Sequence, residues 1–388
     1  LSYFLNNKYI VINYFPKYFT NRSIHVYIFA LFAVSIIYID YAMKWYWWIF
    51  GLIEVCGFFY FSNILIIKWH NLSSRNFEKS LIKLSLTLRI FAALFLYIFF
   101  DIMTGQPFMF GAADSMTYHL CAERASVALQ HGDYNLFELI PRYMGDSLNM
   151  SDFGYPAYLT IIYAITFQSV ILARILKAIW STWTVVLIYK VAVRNFGEST
   201  GRMAAIFAML MPHFIYYCGL HLKEVEMVFL SVAFIERADF MLRSNKLNIV
   251  KVFLPLLLVG LLFTFRTVLG IVALFSLLTA LVFSSKRILG FGKRFFIGIW
   301  IVLAIFVFLG GSIATEVEEV WQKSGRDAQT QNMEWRSQRE GGNQFAKYAG
   351  ATIFAPLIFT IPFPTMVHVD YQENQMMVNG NNYVKNIL

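Results

Sequence analysis

Three short segments of the chain carry side chains that could do chemistry, and the first of them contains Asp114, Tyr118 and His119. Asp114 and Tyr118 are four residues apart, so on a helix they share one face. A carboxylate held on such a face can act as a general base toward a hydroxyl group. The alternative is an N-cap role for Asp114, because it follows a Gly/Ala turn and precedes a helical stretch.

The second segment is a short polar cluster, His221, Lys223 and Glu224, placed directly after a long apolar run. An acid and two basic side chains cost too much in an apolar environment unless they are paired or face a polar cavity. They are therefore candidates for a binding site. The alternative is that Lys223 forms an interfacial ion pair with a neighbouring acid.

The third group consists of isolated cations, Arg174, Lys177 and Arg266, each beside apolar sequence. An arginine can hold a phosphate through two parallel hydrogen bonds, and a lysine can add a point charge. These residue types predict an anion site, and a phosphate is the anion they suit. Alternatively, each side chain extends to a lipid headgroup and has no further role.

The elements that position these residues are predicted to be membrane helices. Of the 388 residues, 58% are hydrophobic and only 14% are charged, whereas a soluble domain has about 25% charged residues. This composition excludes soluble enzymes, disordered tails and coiled coils. The net charge of +9 is interpreted as a membrane-topology signal and not as a nucleic-acid surface.

The apolar runs predict an all-α polytopic membrane protein with about 9–11 spans, since a helical span needs about 20 mostly apolar residues. The expected runs are 24–43, 45–67, 82–103, 156–173, 175–193, 203–220, 225–241, 252–265, 267–285, 295–314 and the weaker 349–361. Between the third and fourth runs lies loop 101–154, which contains Asp114 and a helical stretch.

Basic residues orient this chain, because cytoplasmic loops carry an excess of lysine and arginine. The loop between the second and third runs is basic, which predicts that it is cytoplasmic, that the N-terminus is also cytoplasmic, and that loop 101–154 is external. That loop has seven acids (Asp101, Asp114, Glu123, Asp133, Glu138, Asp146 and Asp152) against Arg124 and Arg142.

The run 156–173 decides the remaining topology. If it crosses, eleven later basic residues fall outside and four fall inside; if it is re-entrant or interfacial, the numbers reverse, and we expect the second arrangement. It brings Arg174, the 221–224 cluster, Arg266 and the segment 315–388 to the same external face as loop 101–154. The eleven are Lys190, Arg194, Arg202, Arg237, Arg243, Lys246, Lys251, Lys286, Arg287, Lys293 and Arg294.

A family resemblance runs over about half of the chain, from about 81 to 285. Its motifs are Asp114-Ser-Met-Thr-Tyr118, the later Gly132-Asp133, and Gly154-Tyr-Pro156 at the start of an apolar run. They continue with Ala173-Arg174-Ile-Leu-Lys177-Ala, Tyr189-Lys-Val-Ala-Val-Arg194-Asn-Phe-Gly197, Pro212 and Lys223-Glu224. In order and spacing, the chain resembles the GT-C glycosyltransferases of the protein mannosyltransferase and aminoarabinose transferase type.

The resemblance implies a GT-C-like helical bundle that transfers a sugar from a polyprenyl-phosphate donor at the external face of a bacterial inner membrane. It implies that Asp114 is the base that activates the acceptor and that Arg174 contacts the donor phosphate, with Lys223 and Glu224 matching a further external position. Two departures leave subfamily and sugar open: Ser115 follows Asp114 where the family often has a second acid, and Gly154-Tyr-Pro156 replaces a Lys-Pro-Pro element.

The expected substrates and partners follow from the same resemblance. The donor is a polyprenyl-phosphate sugar, the acceptor is a glycan, a lipid or a protein, and the protein sits in a lipid bilayer without nucleic acid. Such a donor is already activated, so no cofactor is required, no metal ligands are assigned, and a divalent metal is left open. Tyr118, His119, Arg174, Lys177, His221, Lys223, Glu224 and Arg266 are the expected substrate-binding residues.

Three parts of the chain are expected: two N-terminal spans and a cytoplasmic linker in 1–80, the catalytic membrane module in 81–314, and an external segment in 315–388 that leads to further spans. Two other function classes remain. A polymerase or ligase of lipid-linked polysaccharide would depend on arginines of the external segment, and a non-enzymatic flippase of lipid-linked sugars would need deep polar residues. Glu54 and Arg89 are the obvious deep charges.

Overall fold

The described part of the chain is helical throughout. A computed structural model describes residues 45–108, 113–144, 152–244 and 249–283, together with a few isolated positions between 22 and 33. Within these ranges there are helices and no strands. Most of the expected run 24–43, the runs 295–314 and 349–361, and the segment 315–388 lie outside the described residues.

The helices follow one another with short connections. In chain order they are α1 (Trp45–Trp69), α2 (Ser74–Thr104), α3 (Ala113–Gln130), α4 (Leu136–Met144), α5 (Gly154–Thr166), α6 (Val170–Phe196), α7 (Glu198–Leu210), α8 (Pro212–Tyr216), α9 (Glu224–Arg243), α10 (Ile249–Phe265) and α11 (Thr267–Phe283). A 3₁₀ turn, Tyr217–Gly219, follows α8.

Two of these helices, over Ser74–Met103 and Val170–Phe196, are long and apolar enough to cross a membrane. The ends of both are defined by local chemistry. Ser73 caps α2 by accepting a hydrogen bond from the Asn76 amide at 3.4 Å, and Gly105 ends it with a φ of 71°. Ser169 caps α6 in the same way, and Gly197 follows its last residue with a φ of 89°. Glycine adopts such angles at little cost.

The expected run 156–173 is divided between two helices. Helix α5 has 13 residues and is therefore about 20 Å long, shorter than a hydrocarbon core of about 30 Å. It ends at Phe167 and Gln168, which both have positive φ angles of 53° and 64°. Helix α6 then begins at Val170, so the boundary lies earlier than the sequence predicted.

Helix α5 packs beside the N-terminal half of α6 and does not run the length of the bundle. The Tyr155 hydroxyl accepts a hydrogen bond from Lys177 at 3.0 Å, and the Trp180 indole donates to the Tyr158 hydroxyl at 2.8 Å. Because Thr166 connects to α6 through only three residues, the C-terminal end of α5 lies near the start of α6.

The expected run 203–220 is broken as well. Helix α7 ends at Leu210, and Pro212 follows, because proline lacks an N–H and disfavours helical geometry at the residue before it. The break leaves carbonyl groups without helical partners. Arg89 of α2 supplies the missing hydrogen bonds. Its guanidinium donates to the carbonyls of Met209 at 3.2 Å and Ala208 at 3.3 Å.

Contacts between helix termini define two ends of the bundle. At the first, which we call the basic end, Lys190 of α6 pairs with Glu78 of α2 at 3.3 Å, and Arg194 pairs with Glu236 of α9 at 2.6 Å. Six of the eleven basic residues in the topology argument are located here: Lys190, Arg194, Arg202, Arg237, Arg243 and Lys251. The other five lie outside the described residues.

The opposite end, which we call the pocket end, combines the C-terminus of α2, helices α3 to α5, and the N-termini of α6 and α9. Arg174 donates to the carbonyl of Pro107, and Lys223 forms an ion pair with Asp152. Polar groups from distant segments therefore meet at this end, as the charge argument expected.

The outer surface between the two ends is apolar on several helices. On α2, Phe91, Phe95, Ile98 and Ile102 are all exposed, and the rings of Phe91 and Phe95 stack at 6.3 Å. Helices α9 to α11 expose further large side chains, including Ile235, Phe253 and Phe275. Contiguous apolar surface of this kind marks contact with a membrane or another protein.

Arg89→Met is expected to lower the free energy of unfolding by about 3 kcal/mol, because the carbonyls of Ala208 and Met209 and the hydroxyl of Ser181 lose a charged donor. Lys83→Met removes the same charge from an exposed position of α2 and is the matched control. Denaturant titration of the purified protein in detergent measures both. Equal stability of the two variants would contradict the capping role of Arg89.

Candidate functional site

The carboxylate of Asp114 lies in the first turn of α3 and is exposed to solvent at the pocket end. A negative charge is favoured there by the helix dipole. One turn later, Tyr118 is buried and its hydroxyl donates to Asp152 at 3.2 Å. Burial raises the pKa of Tyr118, and the charges of Asp152, Asp114 and Glu224 raise it further. Tyr118 is thus a neutral phenol among three carboxylates.

Lys223 and Glu224 lie beside these carboxylates and Tyr118. The ammonium of Lys223 pairs with Asp152 and lies 6.0 Å from the centre of the Tyr118 ring. Glu224 begins α9, and one of its carboxylate oxygens is buried without a hydrogen-bond partner among the described residues. The segments around Asp114, Asp152 and Lys223 are thus joined into one cluster.

Lys177 is buried and fully engaged. Its ammonium donates to the Tyr155 hydroxyl at 3.0 Å and to the carbonyls of Leu220 and Leu222, and it lies 3.6 Å from a Glu226 oxygen. An ammonium has three donors, so none is left for a substrate. Lys177 therefore holds the 220–223 loop against α6.

Two histidines are joined through one tyrosine. The Tyr163 hydroxyl lies 2.8 Å from Nδ1 of His119 and 3.2 Å from Nε2 of His221. The Phe108 ring lies against both imidazoles, with ring centres 4.8 Å from His119 and 5.6 Å from His221. Burial lowers the pKa of His119, and it lowers that of His221 well below the ordinary value, with Lys177 and Arg174 adding to the effect. Both are neutral at physiological pH.

Arg174 is the least satisfied cation of the pocket end. Its side chain is 1% exposed, one terminal nitrogen donates to the Pro107 carbonyl, and the guanidinium lies 5.5 Å from the Tyr97 ring centre. Its Nε and the other terminal nitrogen have no hydrogen-bond partner among the described residues. An unsatisfied buried donor is costly, so these two nitrogens are candidate donors to an anion or another polar ligand.

The two parts of this site share their surroundings. Arg174, Lys177 and His119 all act electrostatically on His221, and Tyr155 contacts both the Tyr118 ring at 5.3 Å and the His221 ring at 6.1 Å. Arg266 is exposed in the break between α10 and α11, and the preceding Phe265 lies 6.5 Å from Tyr155. Most of the expected site residues therefore converge around α5, and Arg266 lies at the edge.

Sequence analysis missed four residues of this site: Pro107, Asp152, Tyr155 and Tyr163. Asp152 was counted only as one of the loop acids, and Tyr163 was part of an apolar run. A signal for Tyr155 existed in the Gly154-Tyr-Pro156 motif. Within the described ranges, no three His, Cys, Asp or Glu side chains converge in a way that would hold a metal ion.

Comparison of the chain with protein-family models, with curated proteins and with solved structures gave no match. The class of protein that the described residues define is an all-helical bundle with large exposed apolar side chains and a cluster of polar side chains at one end.

The Lys177–Glu226 pair should behave as a coupled buried pair. Lys177→Met is expected to destabilise the protein by about 3–5 kcal/mol, because it leaves the Glu226 charge buried and unpaired. The double variant Lys177→Met/Glu226→Gln should be less destabilised than the sum of the single variants. Unfolding free energies of the four proteins give the coupling, and strict additivity would show that the pair does not interact.

Proposed function

We propose that the protein is an integral-membrane glycosyltransferase that moves a sugar from a polyprenyl-phosphate donor to an acceptor hydroxyl, with Asp114 as general base. The observation that carries this proposal is that a buried guanidinium with open donors among the described residues, Arg174, and an exposed carboxylate, Asp114, lie at the same end of the bundle. Their surroundings are connected through Tyr155, which contacts both the Tyr118 ring and the His221 ring. An anion site and a base are the two groups that this reaction needs.

The apolar outer surface supports a membrane location. Two helices are long enough to span a bilayer, and α2 exposes a row of large apolar residues that includes Phe91, Phe95 and Ile98. A bacterial inner membrane, with the pocket end outside and the N-terminus in the cytoplasm, is the orientation we propose. The grouping of lysines and arginines at the basic end supports it through the positive-inside rule.

The balance of buried charge supports an anionic donor. Lys177 is balanced by Glu226, whereas the partners of Arg174 among the described residues are a carbonyl and an aromatic ring. A buried charge without a counter-ion is strongly unfavourable. A lipid phosphate would supply the missing charge, and the hydrocarbon tail of the donor would remain in the bilayer.

The reaction follows from these positions. Asp114 takes the proton of the acceptor hydroxyl as its oxygen attacks the anomeric carbon. The bond between the anomeric carbon and the phosphate oxygen breaks, and the phosphate leaves with the electron pair, stabilised by Arg174. The expected product is an inverted glycoside and a polyprenyl phosphate. A divalent metal is left open, and a nucleotide is not required.

The remaining expected residues take supporting roles in this proposal. Lys177 positions the loop that contains His221, and Lys223 orients Asp152 beside Tyr118. Glu224 adds negative charge near the acceptor side, and Arg266 lies where an acceptor or a lipid headgroup would enter. The acceptor is a glycan, a lipid or a protein.

The structure bears differently on the two other function classes. Arg89, a deep charge that a flippase would use, is fully engaged by Ser85, Ser181 and backbone carbonyls. The arginines on which a polysaccharide polymerase or ligase would depend, Arg336 and Arg339, lie outside the described residues. Indifference of activity to Asp114 would favour that class.

Asp114→Asn is expected to lower sugar transfer at least about a hundredfold, because a general base contributes about 10²–10⁴ to a rate. The assay follows radiolabelled sugar from polyprenyl phosphate to membrane acceptors. Glu138→Gln, an exposed carboxylate of α4, is the control and should retain activity. Equal transfer by wild type and Asp114→Asn would remove Asp114 from the mechanism.

The orientation has its own test. A cysteine introduced at His131, which is exposed after α3, should react with a membrane-impermeant maleimide added to intact cells, whereas one introduced at Asn195, which is exposed at the basic end, should react only after permeabilisation. Wild type with its three native cysteines gives the background. Labelling of Asn195→Cys and protection of His131→Cys in intact cells would reverse the orientation.

A further inference from the structure

The two hydrogen bonds that join His119, Tyr163 and His221 can run in either of two directions, because the tyrosine hydroxyl has one hydrogen and two imidazole neighbours. Its oxygen lies 2.8 Å from Nδ1 of His119 and 3.2 Å from Nε2 of His221. If Tyr163 donates to His221, then His119 donates to Tyr163 and Nδ1 of His221 carries the hydrogen. If Tyr163 donates to His119, then Nε2 of His221 carries the hydrogen and Nδ1 is an acceptor.

The direction of these hydrogen bonds decides whether Nδ1 of His221 carries a hydrogen, and this nitrogen is buried without a partner among the described residues. His221 is 2% exposed, and its Nδ1 has no hydrogen-bond partner among the described residues. Two nitrogens of Arg174 share that condition. Arg174 acts electrostatically on His221, and it also binds the Pro107 carbonyl, beside the Phe108 ring that lies against His221. Three open buried atoms therefore belong to one small region.

We propose that His119 and Tyr163 hold His221 in the tautomer with hydrogen on Nδ1, and that this N–H joins the open donors of Arg174 in binding a phosphate monoester. The inference rests on the proposed function, since it assigns further residues to the polyprenyl phosphate that leaves the donor, which is a phosphate monoester. His119 and Tyr163 are positioning residues, because they act through His221.

The electrostatic setting favours this direction of the two hydrogen bonds. An Nδ1 lone pair would repel an anion held by Arg174, whereas an N–H donor would bind it. Burial and the nearby cations keep His221 neutral, because its pKa is lowered well below the ordinary value. A neutral imidazole has one N–H, so Tyr163 decides which nitrogen is the donor.

The chemistry also favours a phosphate over a carboxylate. Arg174 offers two donors and His221 a third, and a phosphate monoester has three terminal oxygens to accept them. The phosphate could come from a lipid or from solution. Three aromatic side chains, Tyr97, Phe108 and Tyr155, lie against Arg174 or His221.

A pair of nearly isosteric substitutions tests the donor atom. In His221→Asn the amide nitrogen can replace Nδ1, whereas in His221→Gln it replaces Nε2 and leaves no donor at the open position. We expect His221→Asn to bind farnesyl phosphate within about threefold of wild type, and His221→Gln to bind about tenfold or more weakly, as loss of a charge-assisted hydrogen bond predicts. Both variants replace the ring by a neutral amide, and the amide nitrogen lies at a different position in each. The difference between their affinities therefore reports the position of the donor.

Binding is measured on the full chain in detergent micelles, with farnesyl phosphate, inorganic phosphate and farnesol as probes. Farnesyl phosphate binding without phosphate binding identifies a lipid source, and equal binding of both identifies a free anion; either result supports the site. Binding of farnesol as tight as that of farnesyl phosphate would overturn it, and so would equal affinities of His221→Asn and His221→Gln.

The tautomer has a direct readout in nitrogen NMR of protein labelled with ¹⁵N-histidine, with the His221 signals assigned by their loss in His221→Asn. We expect a protonated Nδ1 in wild type and a changed tautomer in Tyr163→Phe, which a purely structural role of Tyr163 would not produce. A protonated Nε2 in wild type would overturn the inference.

Failure of this inference is distinguishable from failure of the proposed function. If transfer depends on Asp114 while His221→Gln binds farnesyl phosphate like wild type, the function stands and the inference falls. If no sugar is transferred but the three probes and the two variants behave as expected, the phosphate site stands and the transferase proposal falls.

Discussion

Buried cations that bind backbone carbonyls at helix breaks hold this bundle together. Each break leaves carbonyls without helical partners, and a carbonyl that is buried without a partner is costly. Long basic side chains supply the donors from neighbouring helices. Arg89 binds the end of α7, Arg202 binds the end of α1, Lys177 binds the loop before α9, and Arg174 binds the segment after α2.

The four cations differ in how many N–H donors remain after the carbonyls are bound. This difference distinguishes the cations with a structural role from the one that is a candidate for binding a ligand. Arg89 and Arg202 use their donors on serine hydroxyls, carbonyls or Glu198. Lys177 has Glu226 as a counter-ion. Arg174 alone among these four keeps open donors in the described structure. A helix-capping arrangement thus leaves open donors on one buried cation. This cation lies at the same end of the bundle as the carboxylates around Tyr118.

The sequence predicted the positions of the long helices better than the breaks between them and the side chains of the site. Hydropathy located helices such as α1 and α9 within two residues at each end, because long apolar runs leave few alternatives. It missed the break at Phe167 and Gln168, since left-handed non-glycine residues have no composition signal. It also missed the break at Met211, because the apolar run continues through Pro212, which ends α7. Charge asymmetry correctly brought Arg174 and Lys223 to the end that contains Asp152. The sequence could not identify Tyr163 as a site residue, because its role depends on the two imidazoles that the fold brings to its hydroxyl.

The close contact between Gly154 and Phe265 has a consequence for biosynthesis. A Cβ added at Gly154 would lie 2.6 Å from the Phe265 ring, so α5 and the end of α10 fit only when residue 154 has no side chain. Phe265 follows Gly154 by 111 residues in the chain. The contact that covers the start of α5 therefore cannot form until α10 has been synthesised.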